Sequence, residues 1–382
     1  MRLLLLLLLL ASGPALADQQ IRVATYDVGF TRGGAGVLLR DLQKAPDEKI
    51  AGIVAVIQTV RPDILLLTGF DHDAKGRALD AFRALLANGP DGIDYPHAHS
   101  GPVNAGEPSG LDLDGDGFAM GWADNLGWGK FPGNGGMALL SVHPLDVDAV
   151  RTFNSLRWAD LPGADLPRHE DGGLWPSEKA AMTRPLASRG FWDVPVELPK
   201  GTRLHILAAN PTPPLFDGPE HSNVKRNRDE IRFWSHYLTG PAILDDQGRQ
   251  QGPPDEPLIF AGNLNKDPFD GAGDSAGIGA LLELDRFQDV RPTSQGARVA
   301  AEKQGGFNAR HAGPAEQDTA DWRDDKGPGN LRVDYVLPDA RLQVRGAGVF
   351  WPAPGEPLAW ETANASRHRL VWVDILVPLT AD

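Results

Sequence analysis

The stretch Asp63-Ile64-Leu65-Leu66-Leu67-Thr68-Gly69-Phe70 is apolar almost throughout and is followed by the polar run Asp71-His72-Asp73. A run of this kind reads as a strand covered on both faces. Just upstream, Ile50, Ile53, Val54 and Ile57 recur at i, i+3, i+4 and i+7, an amphipathic helix that Pro62 closes. Further back, residues 21–28 alternate as a strand. Downstream, Leu79, Phe82 and Leu86 mark a second helix, before a long Gly/Pro/Asp-rich stretch from about residue 88 to 135. Strands are predicted again at 137–142, 192–198, 204–209, 258–261, 333–337 and 370–376. Helices are predicted around Ile231, Trp234 and Leu238 and over 278–284. Several strand pairs are too close for an intervening helix, so the pattern calls for mixed sheets with outer helices in one domain.

The composition fits that reading. The 382 residues carry 41% hydrophobic and 23% charged side chains, enough for a sizeable core. Gly (44) and Pro (32) are abundant, which predicts long ordered loops. Lys and Arg number 37 against 51 Asp and Glu, a net charge of −14. Such acidity argues against a protein that holds nucleic acid mainly by neutralising phosphates. Met1-Arg2, the leucines at 3–10 and Ala15-Leu16-Ala17 have the form of a signal peptide cleaved after Ala17. The leader is too short to span a bilayer, and its removal takes the charge to −15. The expectation is one exported domain, 18–382, periplasmic or extracellular. It has no cysteine and therefore no disulfide.

Polar groups end these strands in a telling order: ATYDVGF (24–30), PDILLLTGFDHD (62–73), GNGGMALLS (133–141), FWDVPVEL (191–198), LAANPTPPLFDGPE (207–220), FAGNLNKDPFDG (260–271), LRVDYVLP (331–338) and ASRHRLVWVDI (365–375). Together they resemble the endonuclease/exonuclease/phosphatase superfamily, the DNase I-like fold, and above all its large secreted bacterial members. The resemblance implies an α/β (α+β) four-layer sandwich, two packed mixed β-sheets flanked by helices, with an active site at one end. It implies phosphoester hydrolysis with a divalent metal, Mg²⁺ or Mn²⁺, on a phosphate-containing small molecule or nucleic acid.

Carried over position by position, five of eight expected site residues depart from that pattern. The first-strand Asn is Asp27, the metal-binding Glu is Gly69, and the second His is Asn210. The Asp of Asp-x-Asn is Asn263, with its partner Asn265 kept. The orienting Asp is Asp334. In the closing Asp-His pair the Asp is Arg367, and His368 remains. An amide cannot take a proton, and Gly69 offers no ligand at all. Arg367 brings a permanent cation and is expected to lower the pKa of His368. Two readings follow. In one, the chain is a pseudoenzyme with an anion pocket of Arg367, His368, Asn265 and Asn210. In the other, it is a hydrolase whose metal has moved to Asp27 and Asp71.

Other features carry their own expectations. Asp112, Asp114, Asp116 and Gly117 spell the opening of a calcium loop, with Ala123 where a bidentate Glu would stand and Asp124 one place later. A structural Ca²⁺ there competes with a solvated acidic turn. The G-x-S-x-G at 273–277 lacks the preceding strand of a nucleophile elbow, so Asp274 or Ser275 reads as a helix cap. Lys225, Arg226, Arg228 and Arg232 read as a salt-bridged helix face. His205 and the tryptophans read as packing residues.

Overall fold

The computed structural model describes residues 19–377, so the leader read at 1–17 lies outside the described residues. Every side chain of the strand Ile64–Phe70 is buried, and the pleat divides them between two cores. Ile64 and Leu66 face a core shared by both sheets, whereas Leu65 and Leu67 face one shared with helices.

One sheet has six strands, in spatial order Gln343–Phe350, Leu370–Val377, Gln19–Phe30, Ile64–Phe70, Gly136–Ser141 and His97–His99. The other has five: Asp334–Pro338, Leu258–Asn263, Arg203–Ala209, Phe191–Glu197 and Arg151–Thr152. Each sheet holds one parallel pair, Gln19–Phe30 beside Ile64–Phe70 and Leu258–Asn263 beside Arg203–Ala209, and is antiparallel elsewhere. Parallel neighbours need a crossover. The first crossover carries the helices Val37–Leu42 and Glu48–Val60, the second the helix Ser222–Thr239.

Local chemistry sets these helices. The Asp47 carboxylate accepts from the Ile50 amide at 2.8 Å, and Arg61 turns left-handed (φ 52°) where Pro62 stops the helix. Ile50, Ile53, Val56 and Ile57 then bury against the outer face of the six-stranded sheet, beside Leu79, Phe82 and Leu86 of the helix Arg77–Ala87. Ile231, Trp234 and Tyr237, with Ile278 and Leu281, cover the other sheet in the same way. The result is helix, sheet, sheet, helix: the four-layer sandwich implied by the sequence. Among the described residues no helix is long and apolar enough to cross a membrane.

Strand parity also positions the chemistry. Ile21 and Val23, Ile206 and Ala208, Ile259 and Ala261, and Val336 all point into the inter-sheet core. Counting by twos puts Asp27, Asn210, Asn263 and Asp334 on that same inner side. Asn263 Nδ2 reaches across to Asp27 Oδ2 at 3.2 Å, so the two strand ends stand at one edge of the sandwich.

The incidental features resolve as packing. Asp193 bridges His205 Nδ1 and the Tyr237 hydroxyl, both at 2.6 Å. Trp158, Trp192 and Trp234 are fully buried. Asp274 accepts from the Ala276 amide at 2.8 Å and so begins the helix Ala276–Leu282. Lys225, Arg228 and Arg232 pair with Asp165, Asp229 and Asp274. Arg226 departs from that helix face. It is buried and donates to the carbonyls of Leu126, Pro185, Leu186 and Ala187.

Candidate active-site cavity

A cavity of about 810 Å³ opens at this edge, lined by Asp27, Asn210, Asn263, Asn265 and His368 among others. Asp27 is the carboxylate at its centre. Its Oδ2 accepts from Thr68 Oγ1 at 3.0 Å and from Asn263 Nδ2 at 3.2 Å, and its Oδ1 accepts from the Gly29 amide at 3.0 Å. Burial disfavours the charge, but His368 and these three donors outweigh it, so the Asp27 carboxyl lies below its ordinary pKa.

Gly69 lies across from it in a bulge. Thr68 pairs with Asp27 and with Met137, and the ladder resumes only at Phe70. Gly69 itself has φ +64°, and a Cβ built on it would stand 2.6 Å from Asp27 Oδ1. The space where a side chain at 69 would begin is therefore occupied by the Asp27 carboxylate.

His368 is buried and bonded through Nδ1 to Asp334 Oδ2 at 2.9 Å, and that oxygen also accepts from Thr319 Oγ1 at 2.8 Å. The Trp322 ring meets the imidazole edge-on, 5.3 Å between centroids. Burial disfavours the imidazolium, yet the charges of Asp334 and Asp27 prevail, and the His368 pKa lies above its ordinary value. Asp334, pushed by burial first and then by Asp27, lies above its own.

This reverses the expectation that Arg367 lowers the His368 pKa. Arg367 is exposed and does not line the cavity, and its carbonyl accepts from the Asp321 amide at 2.8 Å. The nearby cation is Arg369, buried and donating to the Ser366 and His368 carbonyls at 2.6 and 3.1 Å. The cations lining the cavity are Arg189, Arg310 and Lys326, and Arg189 Nε donates to the Gly135 carbonyl at 2.9 Å. Burial draws its pKa down, while Glu230 and Asp27 oppose that. Arg189 escaped the sequence reading, although it directly precedes the strand Phe191–Glu197. Phe191 pairs with Ala209, so Arg189 had to lie near Asn210.

Two buried residues of the helix Ser222–Thr239, also missed, hold the cavity loops. Glu230 accepts from the Ser188 amide at 2.6 Å and from the Thr212 amide at 2.7 Å. Asn227 donates to the carbonyls of Thr212 and Leu264 at 2.7 and 2.9 Å. Asn265, itself at φ 52°, donates to the Pro211 carbonyl at 2.9 Å. Asn210 is 4% exposed, and its amide has no partner among the described residues.

Asp71 is not brought to the cavity. Its Oδ1 accepts from Gly135 N (2.7 Å) and Asn134 Nδ2 (2.9 Å), its Oδ2 from Arg32 N (2.7 Å), so it pins two loops together. Asp112, Asp114 and Asp116 also lie outside the cavity lining, in a cluster of their own.

Residues 31–368 match the model of the Endonuclease/Exonuclease/phosphatase family. The chain belongs to that family. Solved structures similar to it include an endonuclease/exonuclease/phosphatase from Beutenbergia cavernae, at 18% identity and TM-score 0.49, covering 94% of this chain and 72% of that one. Sphingomyelinase C from Streptomyces griseocarneus shares 16% identity at TM-score 0.46, over 93% and 99% of the two chains. The human Nocturnin catalytic domain with bound sulfate shares 15% at TM-score 0.45, over 94% and 97%. None of the curated proteins matches this chain.

Within an endonuclease/exonuclease/phosphatase frame, the cavity residues do not fit a divalent metal. Mg²⁺ asks for several hard oxygens in near-octahedral array. Both oxygens of Asp27 are engaged by donors, those of Asp267 and Asp270, which also line the cavity, are taken by backbone amides, and a Cβ at 69 would meet Asp27 Oδ1 at 2.6 Å. Among the described residues, the one group of three or more acidic or His ligand atoms within 4.8 Å of one another is Asp112, Asp114 and Asp116.

Proposed function

We propose that this chain is a phosphoester-binding member of the family that has given up metal-dependent hydrolysis. The observation that carries the reading is the occupation of the Gly69 side-chain space by Asp27 Oδ1, 2.6 Å from the position a Cβ would take. It removes the ligand on which the metal depends and leaves Arg189, Asn210 and His368 in the lining beside Asp27, Asp267 and Asp270. The Arg189 guanidinium, the free Asn210 amide and the His368 imidazole, whose pKa is raised by Asp334 and Asp27 against burial, line the cavity as anion partners. Arg189 takes the part first given to Arg367.

The kept His368–Asp334 pair favours a second reading, an active phosphodiesterase with a rebuilt centre on Asp27. One experiment separates the two. Hydrolysis of bis(p-nitrophenyl) phosphate with Mg²⁺, Mn²⁺ or Ca²⁺ should not exceed that of His368→Ala, while p-nitrophenyl phosphate should bind in chelator, by calorimetry. Metal-stimulated turnover lost in His368→Ala would overturn the proposal. Export belongs to the same proposal and rests on the leucine run and Ala15-Leu16-Ala17. N-terminal sequencing of the chain recovered outside the cytoplasm should begin at Asp18.

A further inference from the structure

The cavity is larger than a phosphate group needs, and part of its wall is apolar. At about 810 Å³ it has the size of a site for a whole organic ligand. Arg189, Asn210 and His368 supply polar lining, whereas Pro214, Leu215, Phe216, Phe307 and Trp322 supply apolar lining. The Trp322 ring, edge-on to the His368 imidazole, adjoins the two.

Phe216 is the residue that asks for an explanation. It is 90% exposed, so packing within the chain does not account for it. Its φ is +64°, a left-handed conformation that bulky side chains rarely adopt and glycine adopts freely. The strain is imposed from both sides. The Leu215 carbonyl accepts from Asn223 Nδ2 at 2.8 Å, and the Asp217 carboxylate accepts from the Asn223 and Val224 amides at 2.6 and 2.8 Å. Phe216 is thus fixed between two anchors on the helix Ser222–Thr239. A strained, exposed aromatic held in this way in a cavity lining points to a role toward ligand. Phe307 reaches the same cavity from another loop, and it too is held. Its amide donates to the Asp324 carbonyl at 2.9 Å, and the Arg310 guanidinium lies 5.5 Å from its ring centroid. Asp270 accepts from the Ala312 and Gly313 amides at 2.9 and 2.8 Å, which fastens that loop to the next.

We propose that Phe216 and Phe307 are specificity residues: they grip the alcohol part of the phosphoester and select an apolar alkyl or aryl alcohol over a sugar or glycerol. The proposal rests on the phosphoester-binding reading above and adds the class of ligand to it. Rings held by anchored loops lose little freedom on contact, so the apolar area that they cover on the ligand appears as affinity. The occupant is a free single-chain molecule rather than a bilayer headgroup, because a chain of net charge −14 gains no attraction from an anionic lipid surface.

The test is calorimetry on the full chain in chelator with methyl, butyl and hexyl phosphate, and glycerol 1-phosphate as the polar comparator. Affinity should rise by about two- to fourfold per methylene, full burial of one being worth about fourfold. Glycerol 1-phosphate should bind no better than methyl phosphate. Phe216→Ser and Phe307→Ser should each weaken hexyl phosphate about tenfold and methyl phosphate less than about twofold. Arg189→Gln should instead weaken the whole series alike. Phe216→Gly, which suits the left-handed backbone, should keep or raise Tm while losing the same selectivity. Affinity flat in chain length, a rise unchanged in both Ser variants, or a lower Tm in Phe216→Gly would each overturn the proposal and leave phosphoester binding standing. No binding by any member would overturn both. Metal-dependent hydrolysis would overturn the binding reading alone, since the grip would then show as a chain-length dependence of KM that Phe216→Ser removes. Co-sedimentation with vesicles of dioleoylphosphatidylcholine and dioleoylphosphatidate would overturn the assignment to a free ligand.

Discussion

Asp27 and Gly69 are mutually dependent: the carboxylate of one stands 2.6 Å from where the β-carbon of the other would lie. They sit on adjacent parallel strands, at the point where the ladder breaks for the bulge. A carboxylate on the first strand thus excludes any side chain on the second. Gly69→Ala adds both a left-handed strain and a close contact, and should destabilise by about 1–3 kcal/mol in urea denaturation. In an Asp27→Gly background the cost should shrink, a coupling measurable by double-mutant cycle. Gly69→Glu, even with Asn263→Asp and Arg367→Asp, should give no metal-dependent hydrolysis while Asp27 remains.

The raised pKa of His368 has a sign. The folded state holds this proton more tightly than the unfolded chain, whose His titrates near about 6.5. Its contribution is complete below that pH and fades as pH rises through the folded value. The stability advantage of wild type over His368→Gln should therefore be larger at pH 6 than at pH 9. An NMR titration placing His368 below the ordinary value would contradict this.

Two arginines should differ sharply. Arg189→Gln removes one of the cations lining the cavity, the one beside Asn210, and should weaken p-nitrophenyl phosphate binding by about tenfold or more, the worth of one charge-assisted hydrogen bond. Arg367→Ala, on the exposed surface, should leave binding unchanged. Calorimetry on both variants decides.

Asp318 is buried among Asp267, Asp270 and Glu316, and burial first, then these like charges, push its pKa to about 8. Folding thus favours its neutral form, an advantage present at acid pH and lost as pH rises through about 8. Asp318→Asn should raise Tm more at pH 9 than at pH 5.

Asp71→Ala should cost about 1–3 kcal/mol, because it strands the amides of Arg32 and Gly135. It should leave p-nitrophenyl phosphate binding alone, which separates a loop pin from a ligand.

The sandwich was readable because its central strands are covered on both faces. Apolar runs such as residues 64–67 and 370–373, and the 3.6-residue spacing of Ile50, Ile53 and Ile57, leave few alternatives. The strand Gln343–Phe350 escaped notice because it lies at a sheet edge, half-exposed and broken by two glycines. At the site, the structure brings Asp27, Asn210, Asn263, Asn265 and His368 to one cavity, with Asp334 bonded to His368. Arg367 and Asp71 lie elsewhere, because each falls just beyond a strand end, where parity no longer fixes direction. Glu230 and Asn227 were obscured by a polar-looking helix whose buried face bonds to backbone, a pattern that side-chain type alone does not reveal.

The first strand pairs with the last, Gln19 opposite Val377, and Ser366 Oγ donates to the Asp27 carbonyl at 2.6 Å. The cavity consequently joins residues that leave the ribosome more than three hundred positions apart. A chain cut before residue 366 would lack both Ser366 and His368 and the partner of the strand Gln19–Phe30, so the cavity edge at Asp27 would be left open however well the remaining layers form.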